Sequence, residues 1–232
     1  MPDASGTPPS AHAGERRLSN APWWWASIAG LSGVLVIVLV VAGAPSVLSL
    51  DGRVARALHR AALADPGWTS TARVLTDWVW SPTTMRLLAA AACVILWRRG
   101  GRAPAFLALL TVLVGALVQQ GLKAAVDRPR PAWDRPLDSA HYAALPSGHA
   151  MTAALVCTLL AWIAWSRLTR ASARWAVTVA ALVSVVGVSW TRVWLGVHWL
   201  TDVVAGTALG VALASAAAGW WWGLADRGRA RG

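Results

Sequence analysis

The sequence predicts an all-α integral membrane protein, a bundle of six transmembrane helices. Three observations predict it. The 232-residue chain is 56% hydrophobic and only 13% charged, against roughly 45–50% and about 25% in soluble domains. Its apolar residues gather in long runs, near the roughly 20 residues that a helix needs to cross a bilayer. Many of those runs end in one of its 17 tryptophans, and indole rings favour the headgroup level. This excludes a disordered chain and argues against an ordinary soluble enzyme. Residues 23–223 read as one six-span domain, between a polar tail at 1–20 and a basic tail at 224–232.

The N-terminal tail carries Pro, Ser, Gly, Arg16 and Arg17 and reads as disordered. The first span runs from Trp23 to Val41 and opens on Trp23, Trp24 and Trp25. A cleaved signal peptide is the rival reading, since Ala42-Gly43-Ala44 has a small-residue pattern. The apolar run is longer than the usual h-region of roughly 7–15 residues. Asp51 to Leu63 reads as an amphipathic helix at the interface, with Val54, Leu58 and Ala61 recurring between Arg53, Arg56, His59 and Arg60. Asp51 is its expected N-cap; covering the bundle is the other reading. The second span centres on Leu87–Trp97 and, extended back to Pro82, takes in Arg86 near one end, where a long stem can snorkel. Ala103–Leu122, His149–Trp165, Trp175–Trp190 and Leu200–Trp222 are the remaining four.

The formal net charge is +11, and Lys123 is the one lysine among 21 basic residues. The arginines are spread between apolar segments rather than gathered in a stripe. They fit loops held beside anionic lipid, and nucleic acid is not an expected partner. Placing the N-terminus inside puts eleven basic residues in inside loops and nine in outside loops. That bias predicts a multi-pass cell-membrane protein with both termini cytoplasmic. Cys93 and Cys157 lie inside apolar runs and suit neither a disulfide nor a metal site.

Three polar segments interrupt the apolar background, all on the outside under this topology. The first runs from Lys123 to Arg130 and Pro131; the second is Pro146-Ser147-Gly148-His149; the third is Thr191-Arg192, then His198 and Asp202. Each begins or ends a span, so a bundle can gather them at one depth. Lys123, Arg130 and Arg192 are cations with almost no acid partner in the spans, and guanidinium forks match phosphate oxygens. Arg128 and Arg135 read as lipid-headgroup contacts instead. Ser147 and Gly148 stand at a helix start, where free N–H groups suit an anion. A plain helix start is the blander reading, though it leaves His149 unexplained. His198 and Asp202 share a helix face at a spacing of four, so the carboxylate can fix the imidazole tautomer. A merely buried, satisfied histidine is the alternative.

Together these residues point to phosphoryl transfer. His198 would attack phosphorus with Asp202 orienting it, and His149 would serve as general acid and then general base. Lys123, Arg130, Arg192 and the N–H groups near Ser147 and Gly148 would stabilise the equatorial oxygens. No metal or other cofactor is expected, since no carboxylate cluster offers itself to magnesium.

At these residues the chain resembles the type 2 phosphatidic acid phosphatases. Their three-part signature is Lys, six residues, Arg-Pro; then Pro-Ser-Gly-His; then Ser-Arg, five residues, His, three residues, Asp. Every spacing matches, with Thr191 where serine is usual. The resemblance implies an α-helical fold shared with vanadium-dependent haloperoxidases and class A acid phosphatases. It implies a phosphohistidine at His198, acid catalysis at His149, and phosphate binding by Lys123, Arg130, Ser147, Gly148 and Arg192. The implied substrate is a lipid phosphate or diphosphate, such as phosphatidic acid, phosphatidylglycerol phosphate or undecaprenyl diphosphate. Its tail would stay in the bilayer, with Asp51–Leu63 and Trp68 as candidate parts of the entrance. A non-hydrolytic lipid phosphate transporter and a vanadate-dependent haloperoxidase are the competing functions.

Overall fold

The computed structural model describes the backbone of residues 11–229 and the side chains of residues 21–224. Every regular element of the described chain is a helix. Helix α1 spans Ala11–Val41, α2 Pro45–Ala64, α3 Pro66–Val74, α4 Pro82–Arg98, α5 Arg102–Val126, α6 Gly148–Arg167, α7 Ala171–Trp194 and α8 Leu200–Arg229. A π-helical turn at Leu75–Val79 joins α3 to α4. Residues 1–10 of the tail expected to be disordered lie outside the described residues, as does the end of the basic tail beyond Arg229. From Ala11 the backbone already belongs to α1.

Six helices are long and apolar enough to cross a membrane. This is a multi-pass membrane protein. The spans fall where the sequence places them, with one enlargement: the second runs through α3, the π turn and α4, over Pro66–Arg98. Helix α4 itself begins at Pro82, because Ser81 accepts a hydrogen bond from the Thr84 N–H at 3.0 Å and proline suits the first helical position.

Helix α6 is the axis of the bundle. Its Ala153, Leu155, Val156, Cys157 and Leu159 form the main core with Met85 and Ala89 of α4, Ala108 of α5, Val188 of α7 and Ala214 of α8. More than half of α6 is enclosed by protein, while α1 and α7 turn most of their surface outward. On α7, Val179, Leu182, Val183 and Val186 are all exposed. An apolar stripe facing outward is what a lipid solvent calls for.

Helix α2 corrects the sequence reading at its start. It begins at Pro45, so Asp51 is no N-cap but an interior residue, almost fully buried together with Ala55, His59 and Ala62. The helix is amphipathic and leans on α7 and α8; Arg53, Arg56 and Arg60 are not on its buried face.

The chain alternates direction through the bundle, so the C-terminal ends of α5 and α7 meet the N-terminal ends of α4, α6 and α8. Two glycines make this convergence tight. A Cβ on Gly206 would stand 2.7 Å from the Ser147 carbonyl oxygen, so only glycine lets α8 lie this close to the start of α6. At Gly196 the backbone is left-handed (φ 71°) and a Cβ would stand 2.6 Å from Trp133 Nε1. Its carbonyl accepts a 2.9 Å hydrogen bond from that indole, which stacks on His59 at 4.0 Å.

Gly206→Ala is expected to lower the thermal midpoint in detergent, as an overpacked core contact costs about 1–3 kcal/mol. Gly121→Ala, where a Cβ meets nothing within 4 Å, is expected to hold or raise it, since alanine gains roughly 0.5–1 kcal/mol in a helix. Equal midpoints for both would contradict the packing described for α6 and α8.

Candidate active site

The three polar segments come together at one end of the bundle. Lys123 lies in the last turn of α5, buried, with its Nζ donating to the Ala143 carbonyl. The helix ends at Asp127, whose left-handed backbone (φ 42°) turns the chain, a conformation that aspartate tolerates better than most residues. The segment that follows crosses the helix ends and returns to α6 through Ala143 to Ser147. Arg130 is fixed by backbone carbonyls: its Nε donates to Tyr142 O at 2.6 Å and its Nη1 to Val197 O at 2.5 Å. The same Nη1 lies 3.2 Å from His198 Nε2.

His198 sits in the short turn between α7 and α8, with almost no exposure. Burial, then Arg192, Arg130 and Lys123, push its pKa well below the ordinary histidine value. The ring is therefore neutral at physiological pH. Its Nδ1 faces Asp202 Oδ2 at 3.4 Å, so Nδ1 carries the proton and Nε2 keeps its lone pair toward the cations. The same Asp202 oxygen accepts from the Trp199 N–H at 2.8 Å. The carboxylate is thus held by the backbone of the turn that carries the histidine.

The other Asp202 oxygen shows what the sequence reading missed. Arg128 Nη1 donates to Asp202 Oδ1 at 2.6 Å, and its Nη2 donates to Asp51 Oδ2 at 2.8 Å. Asp51 in turn accepts from the Thr201 N–H at 3.0 Å and hydroxyl at 2.6 Å. Arg128 is buried and is no headgroup contact. It clamps α2 to α8 behind His198. The sequence held one signal of this, an aspartate interrupting the apolar face of α2, which the N-cap reading had absorbed.

Arg192, at the end of α7, is buried and paired with Asp138 Oδ2 at 3.3 Å. The cations therefore do have an acid partner, supplied by the crossing segment rather than by a span. Two buried polar atoms among the described residues have no hydrogen-bond partner here: Arg192 Nε and Ser147 Oγ. Ser147 precedes α6 without capping it by its side chain, while its N–H donates to the Asp202 carbonyl at 3.0 Å. An unpaired guanidinium N–H and an unpaired hydroxyl beside free helix N–H groups form a donor set for an anion.

These groups share a cavity of about 330 Å³, lined among others by Lys123, Arg130, Gly148, His149, Arg192 and His198. Thus six of the eight residues singled out as a site line it; Ser147 is the residue before Gly148, and Asp202 stands directly behind His198. The entrance is another matter. Nothing from Asp51–Leu63 lines this cavity, nor does Trp68; its walls come from α4, α5 and residues 138–142. Helix α2 acts from behind, through Asp51.

A family model described as the PAP2 superfamily matches residues 104–226, which include all three motifs. The chain belongs to the PAP2 superfamily. A curated relative, phosphatidylglycerophosphatase B of Bacillus subtilis (strain 168), is 36% identical over 110 residues, 46% of this chain and 53% of that protein. The chain therefore spans about half the length of the curated relative it matches. A crystal structure of a transmembrane PAP2-type phosphatidylglycerolphosphate phosphatase from Bacillus subtilis superimposes with a TM-score of 0.70 at 26% identity. That match covers 82% of this chain and 95% of the other.

Because Asp138 occupies one face of Arg192, an arriving oxyanion competes with a carboxylate. Asp138→Asn is expected to tighten inorganic phosphate binding several-fold in titration calorimetry at constant ionic strength. Arg192→Gln is expected to weaken it about tenfold or more, the scale of a charged hydrogen bond. Weaker binding by the Asp138 variant would show that the pair builds the site rather than competing with its ligand.

Proposed function

We propose that this chain is a lipid phosphatase that cleaves a lipid phosphate monoester or diphosphate through a phosphohistidine on His198. The observation that carries the reading is the state of that ring: neutral, buried, Nδ1 turned to Asp202 and Nε2 turned to Arg130 beside Lys123 and Arg192. A histidine that served only to bind an anion would do so best as a cation. This one is held uncharged among three cations, as a nucleophile requires.

In the first step, the Nε2 lone pair attacks phosphorus. The N–P bond forms as the bond to the leaving oxygen breaks, and that oxygen takes its proton from His149. Lys123, Arg130, Arg192, Ser147 Oγ and the first N–H groups of α6 receive the equatorial oxygens, whose charge is spread in the transition state. In the second step, His149 takes a proton from water and the water oxygen attacks phosphorus. The N–P electron pair returns to Nε2 and inorganic phosphate leaves. Asp202 holds the Nδ1 proton throughout and offsets the charge that the ring gains.

The names of the Bacillus subtilis relatives support phosphatidylglycerol phosphate as the substrate. The excess of basic residues in the loops at the opposite end, eleven against nine, supports an extracytoplasmic site with both termini in the cytoplasm.

The test is phosphate release from phosphatidylglycerol phosphate and phosphatidic acid by the purified protein, with EDTA present. Wild type is expected to turn over in chelator. His149→Ala is expected to lose about 10²–10⁴-fold in kcat, and His198→Ala to lose essentially all activity while eluting as folded protein. Arg128→Ala is expected to lower kcat far more than it raises KM, because none of its partners, Asp51, Thr201 and Asp202, lines the cavity that takes the phosphate. Turnover by His198→Ala would remove the mechanism, and loss of all activity in EDTA would remove the metal-free reading.

A further inference from the structure

Arg86 takes no part in the two chemical steps. It lies on α4, inside the span Pro66–Arg98, one turn beyond Pro82. A charged side chain within a span is costly and as a rule has a partner or a function. Among the described residues, Arg86 has no ion pair and no hydrogen bond. It does line the cavity that holds Lys123, Arg130, His149 and His198.

Arg86 also lines a second, narrow crevice, together with Gly115 and Ala116 of α5 and Met151, Thr152 and Leu155 of α6. The helical registers set the two spaces one above the other, with Arg86 between them. Gly115, Gln119 and Lys123 follow one face of α5 at intervals of four, and His149 and Thr152 share a face of α6. Lys123, Gln119 and His149 belong to the cavity, while Gly115 and Thr152 belong to the crevice. From Lys123 to Gly115 is about 12 Å along the helix axis, at ~1.5 Å per residue. The crevice residues thus lie deeper along α5 and α6 than Lys123 and His149, and Arg86 borders the cavity on that deeper side, beyond His149. Arg86 is the cation common to both spaces.

The general acid marks the leaving-group side of the reaction, so whatever Arg86 meets is carried by the part of the lipid that departs. We propose that Arg86 binds a second phosphate on the leaving group and so favours lipids bearing two phosphates over lipids bearing one. This rests on the phosphatase reading. Two sources share that chemistry: the phosphodiester of phosphatidylglycerol phosphate, and the phosphate retained when a prenyl diphosphate loses its terminal one.

The experiment compares two substrate pairs, each differing in the second phosphate: phosphatidylglycerol phosphate with phosphatidic acid, and farnesyl diphosphate with farnesyl phosphate. The quantity read is the ratio of kcat/KM within each pair. Arg86→Gln is expected to lower that ratio about tenfold, the loss of one charge-assisted hydrogen bond to phosphate, and Arg86→Lys is expected to restore part of it. Loss confined to the glycerol pair assigns the phosphodiester; loss confined to the prenyl pair assigns the diphosphate. Unchanged ratios in both pairs, or equal loss on all four lipids, would overturn the proposal. Arg53→Gln, on the outer side of α2, controls for loss of charge alone. If wild type releases phosphate from none of the four, the phosphatase reading fails. The Arg86 proposal is then decided by binding, where Arg86→Gln must weaken capture of the two-phosphate lipids relative to their partners.

Discussion

One carboxylate sets the geometry of this site. Asp202 meets the His198 ring with one oxygen and Arg128 with the other. The oxygen on the ring also accepts the N–H of the next residue, Trp199. The distance to the ring is long at 3.4 Å, whereas the bond to Arg128 is short at 2.6 Å. The aspartate is therefore anchored by the arginine and the turn, and the histidine is oriented against it. Removing the anchor would leave a buried charge unpaired, which costs more than the pair itself contributes. The Arg128–Asp51 link extends this constraint to α2, so a helix that never touches the cavity still fixes the position of the ring.

The second constraint is the membrane. Backbone groups in lipid must be satisfied within each helix, so irregular chain is confined to helix ends. There the four connections that matter can meet: the end of α5, the start of α6, the turn between α7 and α8, and the segment that crosses them. The cations are held in place there by carbonyls of residues 142, 143 and 197 and by Asp138. An anion entering the cavity meets donors already in place, so binding it needs little reorganisation.

Much of this was legible in the sequence, for a physical reason. Lys123, Arg130, His149, Arg192 and His198 are polar residues at span ends, where the apolar background makes each one conspicuous. The spans were readable because lipid demands an uninterrupted apolar run. Arg128 was not legible, because its meaning lies in a contact with Asp51, 77 positions away. Nothing in the local sequence distinguishes an arginine that clamps two helices from one that touches a headgroup. Asp138 was hidden for the same reason, lying in a segment without helical periodicity. The start of α2 was misplaced because Asp51 suits an N-cap by type, while Pro45 begins the helix six residues earlier.

The central claim is a covalent one: the imidazole of residue 198 takes the phosphoryl group before water does. Brief mixing with a lipid carrying ³²P in its terminal phosphate, quenched in alkali and followed by peptide mapping, reads this directly. The account predicts label on the peptide that contains His198, stable to alkali and lost in acid, and carried away when turnover is allowed to finish. Turnover with no protein-bound label at any quench time, or label that maps to His149, would contradict it.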